Sequence, residues 1–402
     1  MKNNFISERV QNIKPSPTME VTSKARELKE AGHDIIGLGA GEPDFDTPTH
    51  IKEAAIEAIN QGKTKYTAVD GILELKEAII DKFSRENNLL YNTNQVSVAT
   101  GGKQILFNAF QATLNKGDEV IIPAPYWVSY PDMVILAEGT PVFIETKKEN
   151  NFKITSDMLN KVINERTKWI VLNSPSNPTG ACYSKKELIE IGKLLKKYEN
   201  ILILTDDIYE KIIYENFVFS TIAEAVPSLK SRTLTVNGVS KAFSMTGWRI
   251  GYAGGPESLI KSMAKIQSQS TSNPTTISQY AALKALTSPS SFLKENNTIF
   301  LKRRNLILDL VNSSKGLECN VPSGAFYIFP SCEGLIGCKT SKGNIINNSS
   351  DFSKYLLEEA GVAVVPGIAF GLENFFRISY ATSNKILEEA GNRIFNACKL
   401  LT

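Results

Sequence analysis

Histidine is nearly absent: the 402 residues contain 2, His33 and His50. Two imidazoles cannot build a multi-histidine metal centre, and neither stands in an H-E-x-x-H pattern, so a zincin is excluded. A Ser-His-Asp triad would need one of them, and neither lies in a motif suited to that work. Proton transfer therefore falls to Lys, Tyr, Asp or Glu. Cysteine is sparse too. The 5 cysteines (Cys182, Cys319, Cys332, Cys338, Cys398) form no C-x-x-C pair. An odd, unpaired set fits neither a disulfide scaffold nor a zinc ribbon and agrees with a reducing compartment. No apolar run approaches the ~18 residues that span a bilayer, and residues 1–10 lack the apolar core of a secretory signal. The expectation is a soluble cytoplasmic protein with no membrane partner. An excess of either charge is also missing: 45 Lys+Arg stand against 42 Asp+Glu, a net charge of +3, which gives no basic footprint for nucleic acid.

What remains is ordinary globular material, 42% apolar and 22% charged, with length for about two or three domains. Short β-rich segments at 34–38, 96–100, 119–123, 140–144, 169–173, 201–205, 233–236 and 249–253 alternate with helical patterns. Thr47 reads as an N-cap with Pro48 at the first helical position; Ile51, Ala54, Ala55, Ala58 and Ile59 follow at helical spacing. Asp70 reads as the cap of a second helix carrying Ile72, Leu75, Ile79 and Phe83 on one face, and 185–198 reads as a third. Strands alternating with helices of this length predict βαβ units and a largely parallel sheet. From about Leu317 the pattern changes to short strands (317–321, 324–329, 362–365, 375–379) with helices at 351–360 and 385–397, a smaller α+β unit. The Gly-, Ser-, Asn- and Lys-rich stretch 332–350 reads as a surface loop.

Four segments carry chemistry. Gly37-Leu38-Gly39-Ala40-Gly41-Glu42-Pro43 has Glu42 where a dinucleotide fingerprint needs a third small residue, so a nicotinamide site fails; a flexible turn or a close backbone approach to a ligand remains. The strand 96–100 runs through Gly101-Gly102-Lys103-Gln104 into a helical pattern, a helix start that suits one phosphate group or carries no ligand at all. The apolar strand ending in Thr205-Asp206-Asp207 delivers an acid where open α/β sheets bind ligands, though a helix N-cap fits either Asp equally well. Lys241 stands among small and apolar neighbours eight residues before Arg249, a setting that lowers an amine pKa and makes it nucleophilic; a surface lysine is the plainer reading.

A phosphate cradle, a strand-end acid and a lysine, in that order, match the needs of pyridoxal phosphate. With GEPDFDTP (41–48), KTKYT (63–67), GGKQ (101–104), PYWVSYP (125–131), NSPSNPTG (173–180), DDIYE (206–210), SKAFSMTGWRIGY (240–252) and FRISYATS (376–383), the chain resembles class I aminotransferases of the aspartate aminotransferase family, in the bacterial subgroup with a Gly-Gly-Lys loop. The resemblance implies an α/β, fold-type I architecture. Its large domain (48–310) would carry a mostly parallel seven-stranded sheet, with an N-terminal segment (1–47) belonging to a small domain completed by 311–402.

The resemblance also implies residue roles. Lys241 would hold pyridoxal 5'-phosphate covalently and later move a proton. Asp206 would keep the pyridine nitrogen protonated, Asn177 and Tyr209 would donate to the ring oxygen, and Trp127 would stack on the ring, although any Trp in an apolar run also suits a core. Gly102, Lys103 and Arg249 would hold the phosphate, with Tyr66 reaching the site of a second subunit in a homodimer. Arg377 would clamp the substrate α-carboxylate beside Asn177, Trp127 and the Gly39 backbone. The segment 267–279 offers no Arg for a distal carboxylate, which leaves Lys103. The implied reaction passes an amino group from aspartate to 2-oxoglutarate in two half-reactions. Some members of the subgroup also accept prephenate, and the segment near Asn12 bears on that. Two rivals keep the same cofactor: a transaminase or β-lyase for aromatic or neutral amino acids, and a non-catalytic effector domain. The second needs a fused DNA-binding module, for which the resemblance, starting near Arg9, leaves no room.

Overall fold

The computed structural model describes residues 5–402. Its strands, in chain order, are β1 (Ile36–Gly37), β2 (Val96–Thr100), β3 (Glu119–Ala124), β4 (Thr140–Glu145), β5 (Thr167–Asn173), β6 (Leu202–Asp206), β7 (Thr233–Gly238), β8 (Ile250–Gly254), β9 (Tyr327–Ile328), β10 (Val362–Ala363), β11 (Val365–Pro366) and β12 (Phe376–Ser379). β2 to β8 build one 7-stranded sheet in the order β2-β8-β7-β6-β5-β3-β4. β3, β4, β5, β6 and β7 are parallel, and β8 is antiparallel to both neighbours. The expected α/β sheet is present.

The sheet's interior strands are apolar on both faces because helices cover both. Val120, Ile122, Val171 and Leu204 pack on one side with Phe110 and Met263; Ile121, Ile170, Leu172 and Ile203 pack on the other with Leu188 and Ile191. Each such fully buried side chain contributes roughly 1.5–3 kcal/mol. Such continuous apolar runs mark a parallel sheet with both faces covered. A separate cluster centred on Phe326, Ile328, Phe352 and Ile378 joins the antiparallel sheet β11-β12-β9 to the helices Phe292–Asn312 and Asn384–Leu400.

Several local expectations are corrected. The helix after Thr47 begins at Thr49 with Pro48 at the cap, and the Thr47 hydroxyl donates to the Ser244 carbonyl instead. Asp70 caps nothing: it pairs with Lys76 at 2.6 Å, and the helix is Leu73–Asn87. Within the helix Thr49–Asn60, Ile59 is exposed rather than on the buried face. The third helix ends at Leu195, and its start carries a Ser184–Glu187 capping box. Residues 34–38 form a strand only at Ile36–Gly37, paired with β10, and 317–321 form only an isolated bridge from Glu318 to Ser331. The stretch 332–350 is irregular but not wholly superficial, since Leu335 and Ile346 are buried in the C-terminal cluster.

One close approach matters for the site. A Cβ on Gly251 in β8 would lie 2.1 Å from the Gly102 nitrogen and 2.4 Å from the Gly101 carbonyl carbon. Glycine alone lets β8 pass the start of the helix Gly102–Thr113. Gly251→Ala is expected to cost about 1–3 kcal/mol through overpacking, read as a lower urea midpoint. Gly37→Ala, whose Cβ meets nothing within 4 Å, should leave the midpoint in place. Equal effects would refute the close-approach argument.

Candidate active site

β2, β3, β5, β6 and β7 point the same way, so their C-terminal ends share one sheet edge. β8 runs oppositely, so Arg249, just before it, starts at that edge. A cavity of about 250 Å³ opens there. Gly102, Lys103, Trp127, Asn177, Asp206, Tyr209, Lys241, Arg249 and Arg377 all line it, from positions far apart in sequence. Gly39 stands behind the wall and takes part through its carbonyl. Two expected residues lie elsewhere in the single chain: Tyr66 is 90% exposed outside the cavity, and Asn12 is exposed at the end of the short helix Glu8–Gln11.

Asp206 is the last residue of β6 and is buried. Its Oδ2 accepts the Tyr130 hydroxyl at 2.7 Å, and its Oδ1 accepts the Ile208 N–H at 3.4 Å. Burial pushes its carboxyl pKa up; the Tyr130 and Ile208 hydrogen bonds and the Lys241 charge oppose that. A buried carboxylate needs a cationic or donor partner, and the protonated ring nitrogen of a bound cofactor would be such a partner.

Lys241 follows β7 after a short turn, and its Nζ donates to the Gly41 carbonyl at 2.6 Å. Its pKa falls from the ordinary 10.5 to about 8. Burial is the main cause; Arg249 and Arg377 add to it, while Glu42 and Asp206 pull the other way. An amine depressed this far has a usable free-base fraction near neutrality.

The 12-residue helix Gly102–Thr113 starts at the cavity wall. Its first N–H groups have no intrahelical partners, and its dipole favours an anion. Gly101 has φ +86°, and a Cβ there would sit 2.3 Å from an Arg249 Nη atom, so the glycine makes room for the guanidinium beside the helix start. Arg249 itself takes a left-handed backbone (φ 57°), which turns the chain into β8. An acid at a strand end, an activated amine and an anion cradle in one cavity fit the ring nitrogen, aldehyde and phosphate of pyridoxal phosphate.

Arg377, in β12, is 1% exposed. Its Nη1 donates to Asn177 Oδ1 at 2.8 Å and its Nη2 to the Gly39 carbonyl at 2.6 Å, while Nε is buried without a partner. The guanidinium also lies 4.6 Å from the Tyr327 ring centroid. Among the described residues no carboxylate pairs with it. Burial lowers its pKa, and a buried guanidinium held only by neutral groups is primed for an anionic ligand. Lys103, nearer the mouth, sits 4.9 Å over the Trp127 ring, and burial together with Arg249 lowers its pKa.

Tyr130, Tyr327 and Glu42 also carry parts of this site, each with a weaker signal in the sequence. Tyr130 lies inside PYWVSYP, so the motif held the signal without the role. Tyr327 sits in the apolar run 325–329 and reads there as core. In the sequence Glu42 excludes a dinucleotide loop and signals nothing more; its carboxylate accepts the Thr246 hydroxyl at 2.9 Å, beside Lys241.

The family model described as aminotransferase class I and II matches residues 33–394. The chain is 59% identical over 394 residues to a probable aspartate/prephenate aminotransferase of Rickettsia felis, covering 98% of this chain and 96% of that protein. It is 57% identical over 394 residues to an aspartate/prephenate aminotransferase of Cereibacter sphaeroides, covering 98% of each. Its fold superposes on the crystal structure of the aspartate aminotransferase from Rhizobium meliloti with a TM-score of 0.96, at 53% identity and 99% coverage of both chains. With the lysine, the strand-end acid and the anion cradle in one cavity, these likenesses make the chain a member of the class I and II aminotransferase family, a transaminase dependent on pyridoxal phosphate.

Proposed function

We propose that the protein is an aspartate aminotransferase that passes the amino group of L-aspartate to 2-oxoglutarate, giving oxaloacetate and L-glutamate. The observation that carries this reading is the buried Arg377, which lacks an acidic partner and lines the same cavity as Lys103. Beside Lys241 and Arg249, which serve the cofactor, these two further cations in the cavity suit a substrate with two carboxylates. Arg377 takes the α-carboxylate in a bidentate pair, with Asn177 and Gly39 holding the guanidinium plane, and Lys103 takes the distal carboxylate as a flexible point charge.

Bound pyridoxal phosphate supplies the electron sink and the carrier of the amino group. Asp206 holds the proton on its pyridine nitrogen, with Tyr130 fixing the carboxylate. Tyr209 and Asn177 donate to its ring oxygen, and Trp127 covers the ring. The helix start at Gly102 and Lys103, with Arg249, holds the phosphate. Lys241, once its amine is free, takes the proton from the substrate Cα. Tyr66, exposed here, fits a residue that serves a second subunit, and exposed Ile56, Ile59 and Leu73 support a homodimer face. The large domain 48–310 would then stand against a small one of 1–47 and 311–402 that closes over substrate through Gly39 and Arg377. No helix among the described residues is long and apolar enough to cross a membrane, and a cytoplasmic location agrees with the unpaired cysteines.

A second reading adds prephenate as an amino acceptor. Beyond Lys103 lies a further cavity of about 340 Å³, lined by Lys14, Phe107, Asp132, Met133 and Leu136. It offers room for a ring-bearing dicarboxylic 2-oxo acid. The relatives from Rickettsia and Cereibacter are named for both substrates. Asn12 is two residues from Lys14, which is where a prephenate determinant in the N-terminal segment would act.

Losing a charge-assisted hydrogen bond costs about 1.5–3 kcal/mol, or roughly 10- to 100-fold in kcat/KM. Arg377→Ala should impose that loss on every α-amino acid alike. Lys103→Ala should impose it on aspartate and glutamate but not on a neutral amino acid. A uniform loss for Lys103→Ala would remove it from side-chain recognition. In the cofactor-free protein, trapping of Lys241 by a small aldehyde and borohydride should speed up as pH rises through about 8, where the ammonium loses its proton, and then level off. Peptide mapping checks the site. A midpoint at the ordinary 10.5 would mean that burial and the neighbouring cations do not act on Lys241.

A further inference from the structure

Two buried phenols meet at the cavity wall. Tyr209 Oη and Tyr327 Oη are 2.7 Å apart. Tyr209 follows β6 and Tyr327 opens β9, so the contact joins the 7-stranded sheet to the 3-stranded one. Both residues line the cavity. Gly41 makes the position of Tyr327 possible, because a Cβ there would lie 2.9 Å from the Tyr327 hydroxyl. The Tyr327 ring stacks under Arg377, 4.6 Å from ring centroid to guanidinium carbon.

Each phenol carries one hydrogen, because burial raises both pKa values above the ordinary 10. Two hydroxyls share one hydrogen bond, so one hydrogen lies between them and the other needs an acceptor elsewhere. Among the described residues, Tyr327 Oη has no hydrogen-bond partner other than Tyr209. If Tyr209 donated to Tyr327, the Tyr327 hydrogen would turn to the cavity that both residues line, and Tyr209 would keep none for the ring oxygen. If Tyr327 donates to Tyr209, the Tyr209 hydrogen is left for an acceptor in the cavity. A phenol that accepts a hydrogen bond also becomes a stronger donor through polarisation.

We infer that Tyr327 is a positioning residue that donates to Tyr209, directs the Tyr209 hydrogen into the cavity and strengthens it as the donor to the cofactor's ring oxygen. The inference rests on the reading of Tyr209 given above. Through the same side chain, the strand pair that carries Arg377 is linked to the group that sets the cofactor's charge. The hydroxyl serves Tyr209 and the ring serves Arg377, so removing the hydroxyl alone separates the two contacts.

The test compares holoenzymes of Tyr327→Phe and Tyr209→Phe with the parent. The pH midpoint of the bound cofactor's absorbance change is measured together with kcat, KM and the unfolding midpoint. A weaker donor stabilises the anionic ring oxygen less, so the protonated form persists to higher pH. Tyr209→Phe should raise the midpoint, and Tyr327→Phe should raise it by a smaller amount. Loss of one neutral hydrogen bond, about 0.5–1.5 kcal/mol, corresponds to a roughly two- to tenfold fall in kcat for Tyr327→Phe. Its KM for aspartate should hold, because phenylalanine keeps the ring under Arg377. A shift in Tyr209→Phe with none in Tyr327→Phe would overturn the inference and leave the reading of Tyr209 intact. No shift in either would overturn both. A Tyr327→Phe protein that is only less stable, with its spectral midpoint unmoved, would assign the hydroxyl a structural role and overturn the inference as well.

Discussion

A carboxylate buried at the end of a central strand has to be compensated, and much of this molecule is arranged around that need. Asp206 ends β6 with apolar Ile203 and Leu204 behind it and sheet neighbours on both sides. Left alone there, its charge would cost several kcal/mol. The Tyr130 hydroxyl and the Ile208 N–H meet part of the demand. The rest is met by positive charge in the cavity, which Lys241 supplies in part and which a protonated ring nitrogen would complete. The same burial that makes Asp206 hungry for a cation lowers the pKa of Lys241. A low-dielectric pocket thus acts on acid and base in complementary directions.

The sheet converts this local demand into a site. Parallel strands place every C-terminal end on one edge, and the single reversed strand brings Arg249 there by its N-terminal end. Backbone economy at Gly101 and Gly251 lets a guanidinium and a strand approach the helix start that a side chain would block. Arg377 arrives from the other sheet and is held by Asn177 and by Gly39, so its position depends on both parts of the molecule at once. β12 pairs in turn with β9, so Arg377 and Tyr327 belong to one small antiparallel ladder.

Legibility in the sequence followed the range of the interaction. The strands of the large sheet are readable because apolar runs bounded by turn residues are local facts, and their boundaries held to within a few residues. Capping was less readable. Thr47 and Asp70 have the right chemistry for caps, but the distant Ser244 carbonyl claimed the first side chain and Lys76, six residues on in the following helix, claimed the second. The short segments of the C-terminal region were the least secure. A β-rich run such as 317–321 forms a ladder only if a partner strand lies alongside, and here one bridge is all that forms.

The sequence by itself determined the alternation that makes a parallel sheet, the glycine-started helix that suits a phosphate, the strand-end acid and a lysine in a small-residue turn. Those are properties of neighbouring residues, and they carry the family resemblance. The tertiary structure alone decided that Arg377 has neutral partners, that Tyr130 serves Asp206 and that the Tyr327 hydroxyl meets that of Tyr209. Each of those rests on burial and on contacts across at least 76 positions of chain. Periodicity and composition do not encode such contacts, because the free energy of a buried polar group depends on which groups the fold brings within hydrogen-bond reach.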